Sequence, residues 1–123
     1  KPGGAIFFAF ISVFAIMYAE YFYGNWAAGE EENFTKDYKI RHFKEQLFTG
    51  YDVTEFEDLF IGKPVDYVTT TGVDGLLQPI EERPDFKISD EDFEAMSKWY
   101  LAFSEKRELL GHTNHLLYIC KKR

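Results

Sequence analysis

The residues of this chain that could do chemistry are few. His112, His115 and Cys120 form the only ligand-like cluster, spaced H-x2-H-x4-C. A zinc site would need a fourth ligand and an outer shell to orient the set, and the third histidine, His42, is remote in sequence. Glu20 sits among apolar residues, where a carboxyl group could relay protons or accept a hydrogen bond from a neighbouring helix. The acidic pairs Glu81-Glu82 and Asp90-Glu91-Asp92 read as loop and helix-cap features, because a general acid needs a pocket that raises its pKa. Met17 and Met96 stand alone and read as packing residues. There is no glycine-rich phosphate loop, no serine-nucleophile motif and no CxxC. The expectation is a protein that is not an enzyme, with no metal and no cofactor.

Position dominates instead. Pro2 to Ala19 is an 18-residue stretch without a charge, PGGAIFFAFISVFAIMYA. A bilayer core about 30 Å thick calls for about 20 apolar residues in a helix, and residues 4–23 meet that length. Eight residues between Ala5 and Ala19 are Phe, Ile or Val, which favours insertion by about 2 to 5 kcal/mol before Glu20 is set against them. On a helical wheel Ala5, Ala9, Ser12 and Ala19 share one narrow face, with Glu20 at its edge. Phe7, Phe10, Ile11, Phe14 and Tyr18 fall opposite. Small residues let two membrane helices approach closely, so the first set reads as a helix-packing face. Tyr18, Tyr21, Tyr23 and Trp26 cluster at the charged end as an interfacial belt. A cleaved secretory leader is the rival, with Ala27-Ala28-Gly29 as a cleavage-like site.

Residues 1–28 therefore read as a transmembrane anchor and residues 29–123 as a water-facing acidic region. The whole chain carries a net charge of −7, a poor match for nucleic acid or anionic headgroups. One cysteine excludes an internal disulfide and suits a reducing compartment. Asn33-Phe34-Thr35 is a glycosylation sequon if it faces the secretory lumen.

The polar region predicts short helices over 35–48 and 54–61, the second stopped by Gly62 and Pro64. Residues 65–73 (VDYVTTTGV) are β-branched, and Asp74-Gly75 could turn such a strand. No partner strand is evident, and an isolated hairpin is barely stable. Pro79 and Pro84 make 76–87 an extended arm. The best helix is 89–110, with Ser89 as N-cap, acids in the first turn, apolar residues at helical spacing and Gly111 as the stop. The tail LLYICKKR is apolar, then basic.

The predicted fold is mainly α: one N-terminal transmembrane helix, short amphipathic helices and an extended arm, with little or no sheet. Aromatic residues make up 19% of the chain, and such residues are enriched at interface cores. Together these features predict a single-pass accessory structural subunit of a large energy-converting complex, with other membrane subunits and lipid as partners. A respiratory-chain complex or ATP synthase of the mitochondrial inner membrane fits best, N-terminus on the matrix side and C-terminal region in the intermembrane space. The alternatives are a photosynthetic-complex subunit and a membrane-tethered secretory-pathway adaptor.

Overall fold

A computed structural model describes residues 1–24, 26–41, 49–75, 77–81 and 83–123, without the side chains of residues 21–23, 78 and 79. The apolar N-terminal stretch is not one helix. After the turn at Pro2 and Gly3 it forms strand β1 (Ala5–Ser12) and then helix α1 (Val13–Tyr23). Eleven helical residues span about 16 Å at 1.5 Å per residue, half of a bilayer core. Among the described residues no helix is long and apolar enough to cross a membrane. The transmembrane anchor is thereby corrected, and so is the single-pass placement in the mitochondrial inner membrane that rested on it. A continuous apolar run suits a buried strand as well as a helix, and here the run changes type midway.

The mainly-α expectation is corrected too: the protein is a mixed α/β fold on a four-stranded curled sheet. Beyond β1 and α1 the described elements are α2 (Trp26–Asn33), β2 (Gly50–Tyr51), α3 (Val53–Asp58), β3 (Val65–Gly72), α4 (Leu77–Glu81), α5 (Asp90–Phe103), α6 (Arg107–Leu110) and β4 (His115–Lys122). The strand order is β2-β1-β4-β3. β4 is the centre, antiparallel to β1 from Ala5↔Lys121 to Ile11↔His115 and antiparallel to β3 on its other side. β2 is parallel to β1 and meets it only at Ile11 and Ser12. The missing partner of the 65–73 strand is thus the tail, which the sequence left as an end.

Alternation along the strands sets the core. Leu116, Tyr118 and Cys120 point inward from β4, and Phe10 and Ser12 from β1. Against this face α3 supplies Val53 and Phe56, and α6 supplies Leu110. Phe10 stacks on Phe56 with ring centroids 3.9 Å apart, and Phe60 stacks on Tyr118 at 4.2 Å. The rings extend this apolar packing, and offset-stacked pairs add about 0.5 to 1.5 kcal/mol beyond area burial. Asp52 caps α3, its Oδ1 accepting from the Thr54 and Glu55 amides. Satisfying otherwise unpaired amides lets so short a helix hold its place.

The other predicted elements shift in type or length. Residues 35–41 form no helix. Phe34 and Ile40 make an antiparallel bridge around a turn in which Tyr38 adopts φ 55; residues 42–48 of the predicted helix lie outside the described residues. The arm at 76–87 includes the short helix α4. Ser89 does cap α5, its Oγ accepting from the Asp92 amide, but the helix stops at Phe103 and α6 is separate.

Candidate functional site

The sheet brings together polar residues that are far apart in sequence. The densest knot lies at the β3 exit. Asp74 Oδ1 accepts from Thr113 Oγ1 at 2.6 Å and from the amides of Asn114 and His115 at 3.0 and 3.1 Å. Its Oδ2 lies 2.5 Å from His115 Nδ1. Thr113 Oγ1 also accepts from the Gly75 amide and from Tyr100 Oη. Partial burial alone would raise the Asp74 pKa, but the Thr113 and His115 hydrogen bonds outweigh it and hold the carboxyl below its usual range. Burial pushes the Tyr100 hydroxyl upward. An Asp–His pair can orient a catalytic base, but here the neighbouring Thr113 is fully buried with its hydroxyl committed to Asp74. The knot ties the 72–75 turn and the end of α5 to the start of β4.

The second cluster joins α3, β3 and α6. Both Glu57 oxygens meet the Arg107 guanidinium at 2.9 Å, and Thr70 Oγ1 donates to Glu57 Oε1 at 2.7 Å. Arg107 also donates to Thr54 Oγ1. This forked geometry matches a carboxylate to a guanidinium and fixes α6 against α3.

Two surface cavities flank the core. One, about 410 Å³, is lined by Phe60, Tyr67 and Tyr118 together with Glu57, Lys63 and Arg123. The other, about 400 Å³, lies between α1 and α3, with Phe14, Met17, Phe34 and Ile40 as walls and acids Asp52 and Asp58 at the rim. Neither holds a nucleophile beside a base among the described residues.

The residues singled out in sequence scatter over this frame. Ala5 and Ala9 lie on the outer face of β1, whereas Ser12, of opposite parity, is fully buried beneath the sheet. Ala19 and Glu20 belong to α1. Asn33 Nδ2 donates to Glu20 Oε1 at 2.9 Å and to the Gly29 carbonyl, and a Cβ at Gly29 would overlap the Glu20 side chain. Gly29 therefore lets α2 close on α1, and Glu20 serves that packing. Of the belt, Tyr18 pairs with His112, oxygen to Nε2 at 3.1 Å, and Trp26 is exposed on α2. Tyr21 and Tyr23 are on α1, their side chains outside the described residues. The ligand-like cluster does not converge: His112 faces Tyr18, His115 faces Asp74, and Cys120 is buried in the core. Among the described residues no His, Cys, Asp or Glu group could hold a metal ion.

Sequence reasoning read Asp74 only as a turn residue and did not pair Glu57 with Arg107. It expected aromatic residues at an interface without saying which stay exposed. α5 has no buried residue, and Phe93, Trp99, Leu101 and Phe103 are all exposed along it, Trp99 at 73% and Leu101 at 75%. No protein-family model matches the chain, and no curated protein matches it.

Proposed function

We propose that this chain is a non-catalytic accessory subunit that works by protein–protein contact within a larger assembly. The observation that carries the reading is α5: fourteen residues, none buried, with Trp99 and Phe103, one turn apart on one face, exposed at 73% and 49%. Helical stability in proteins comes mostly from packing an apolar face, and among the described residues α5 finds little for its face to pack on. Large exposed apolar patches mark contact surfaces, and buried Trp and Phe anchor interfaces. Asp90, Glu91, Asp92 and Glu94 stand in the N-terminal part of the same helix. The partner surface is therefore an apolar groove with a basic rim, which would be steered by the charge of −7 and hold the aromatic anchors.

The test places a photo-crosslinking residue at Phe103, on the face of Trp99, and, as a control, at Lys98 on the opposite side of the helix, in the chain expressed in its own cells. The expected result is one discrete large species in native electrophoresis and crosslinks from 103, but not from 98, to a single partner subunit, with Trp99→Ala removing the chain from that species. Migration as a free 14.4 kDa chain would overturn the proposal.

A further inference from the structure

We infer that a second copy of this chain pairs with the open edge of β1, joining two sheets across a two-fold axis at Phe7. The inference is independent of α5. It begins with the phase of the ladder. Ser12 N–H donates to the Asn114 carbonyl, and Lys122 N–H donates to the Gly4 carbonyl. In an antiparallel pair alternate residues direct both backbone groups to the same neighbour. The even-numbered residues of β1 thus bond to β4, and Ala5, Phe7 and Ala9 turn their N–H and C=O groups away from it.

Among the described residues β2 covers that edge only at Ile11 and Ser12. At the other end Gly3, with φ 77, bends the chain out of the strand. Among the described residues the open window runs from Gly4 to Phe10, and its midpoint is Phe7, whose backbone faces outward. An antiparallel copy centred there sets Phe7 against Phe7 and Ala5 against Ala9, about six new backbone hydrogen bonds if each of the three pairs exchanges two. The same patch serves both partners, as a two-fold interface requires. The bend at Gly3 clears each copy from the other's β2. A register shifted by two residues in either direction loses a pair, and in one direction also drives the chain toward β2.

Composition selects the same occupant. Residues 5–12 contain no charge and no proline, so two acidic chains can approach there without opposing like charges. Phe7 is 60% exposed, and Ala5 and Ala9, exposed on the same face, leave room at the diagonals for a pair of rings. The opposite edge of the sheet is guarded in ways that discourage pairing. β3 carries a bulge between Tyr67 and Thr69, an exposed Asp66, and a Gly72 amide already bonded to the Ser104 carbonyl. β1 has none of these devices.

The experiment is sedimentation equilibrium of the 123-residue chain between about 1 and 100 μM, a range that reads weak self-association. The expected mass rises toward twice 14.4 kDa. Ala9→Pro removes an outward N–H, a substitution that edge strands accept, and weakens dimerisation at least about tenfold. Its far-UV dichroism stays that of the parent; should the proline disturb folding, Ala9→Lys replaces it. Phe7→Cys then fixes the register. Across the axis its Cα atoms fall about 5.5 Å apart, within disulfide reach, whereas Ala5→Cys places them about 13 Å apart along the strands. Oxidation should link the first variant and leave the second single. A monomer throughout the range, a dimer indifferent to Ala9→Pro, or equal linkage of both cysteine variants would each overturn the inference. So would protection of the Ala5, Phe7 and Ala9 amides only when a different protein is added.

Discussion

Replacing Phe10 and Phe7 by alanine separates a strand from a helix, because the two residues are three apart. On the helical wheel both belong to the same bulky side. In the strand they have opposite parity. Phe10 is 5% exposed and stacks on Phe56 with planes 6° apart, while Phe7 is on the outer face. Truncating a buried phenylalanine costs about 3 to 5 kcal/mol through lost transfer energy and the cavity left behind. Full burial of such a side chain is worth about 1.5 to 3 kcal/mol. Phe7 is roughly two-fifths buried, so its removal costs about 1 kcal/mol on the same scale. The difference, about 3 kcal/mol, shifts a urea midpoint by about 1 to 2 M for a domain of this size. The assay is urea unfolding followed by tryptophan fluorescence and far-UV dichroism, at low protein concentration. Equal effects of the two substitutions would refute the strand parity, and a neutral Phe10→Ala would refute the core.

Asp74→Asn removes the acceptor charge of the knot and costs about 1 to 3 kcal/mol at neutral pH. The folded-state pKa of Asp74 is depressed from 3.8, so its contribution is present above that value and lost as pH falls through the lower folded-state value. The gap between parent and variant in unfolding midpoint should therefore be full at pH 7 and close under strong acid. Arg107→Ala and Glu57→Gln test the fork between α3 and α6. Arg107 is more than half exposed, so a double-mutant cycle should give a coupling energy under about 1 kcal/mol, and a larger value would mean that the pair is drier than described. Cys120 is fully buried, which raises its thiol pKa. A thiol reagent at pH 8 should label it only upon unfolding, and labelling at the rate of a free cysteine would contradict its place in β4.

Local signals survived folding where local physics decides. Ser89 and the three acids after it begin a helix because a hydroxyl and negative charge stabilise the first turn. Val65 to Gly72 is a strand because β-branched residues fit a pleated surface. The failures are non-local. The tail reads as apolar then basic, yet His115 to Lys122 becomes the central strand, because only pairing with residues 5–11 and 65–72 reveals that Leu116, Tyr118 and Cys120 share a face. The N-terminal run misleads for a related reason: its apolar count adds a strand to a helix. Ala5, Ala9 and Ser12 have helical spacing, but a period of two sends Ser12 to the opposite face from the alanines. The polar clusters carry no local trace at all, since Glu57 and Arg107 are 50 residues apart and Asp74 and His115 are 41 apart.

The pairing of the two ends of the chain is the claim on which the rest depends, and nuclear magnetic resonance of the isotope-labelled protein tests it directly. Ala9 lies opposite Leu117 in a pair that exchanges no hydrogen bonds, where Cα atoms approach to about 4.5 Å. Strong Hα–Hα contacts from Ala9 to Leu117 and from Phe7 to Ile119 are the predicted result. Helical contacts running unbroken from Ala5 through Ala19, with none reaching residues 115–121, would contradict the sheet and restore a continuous apolar helix.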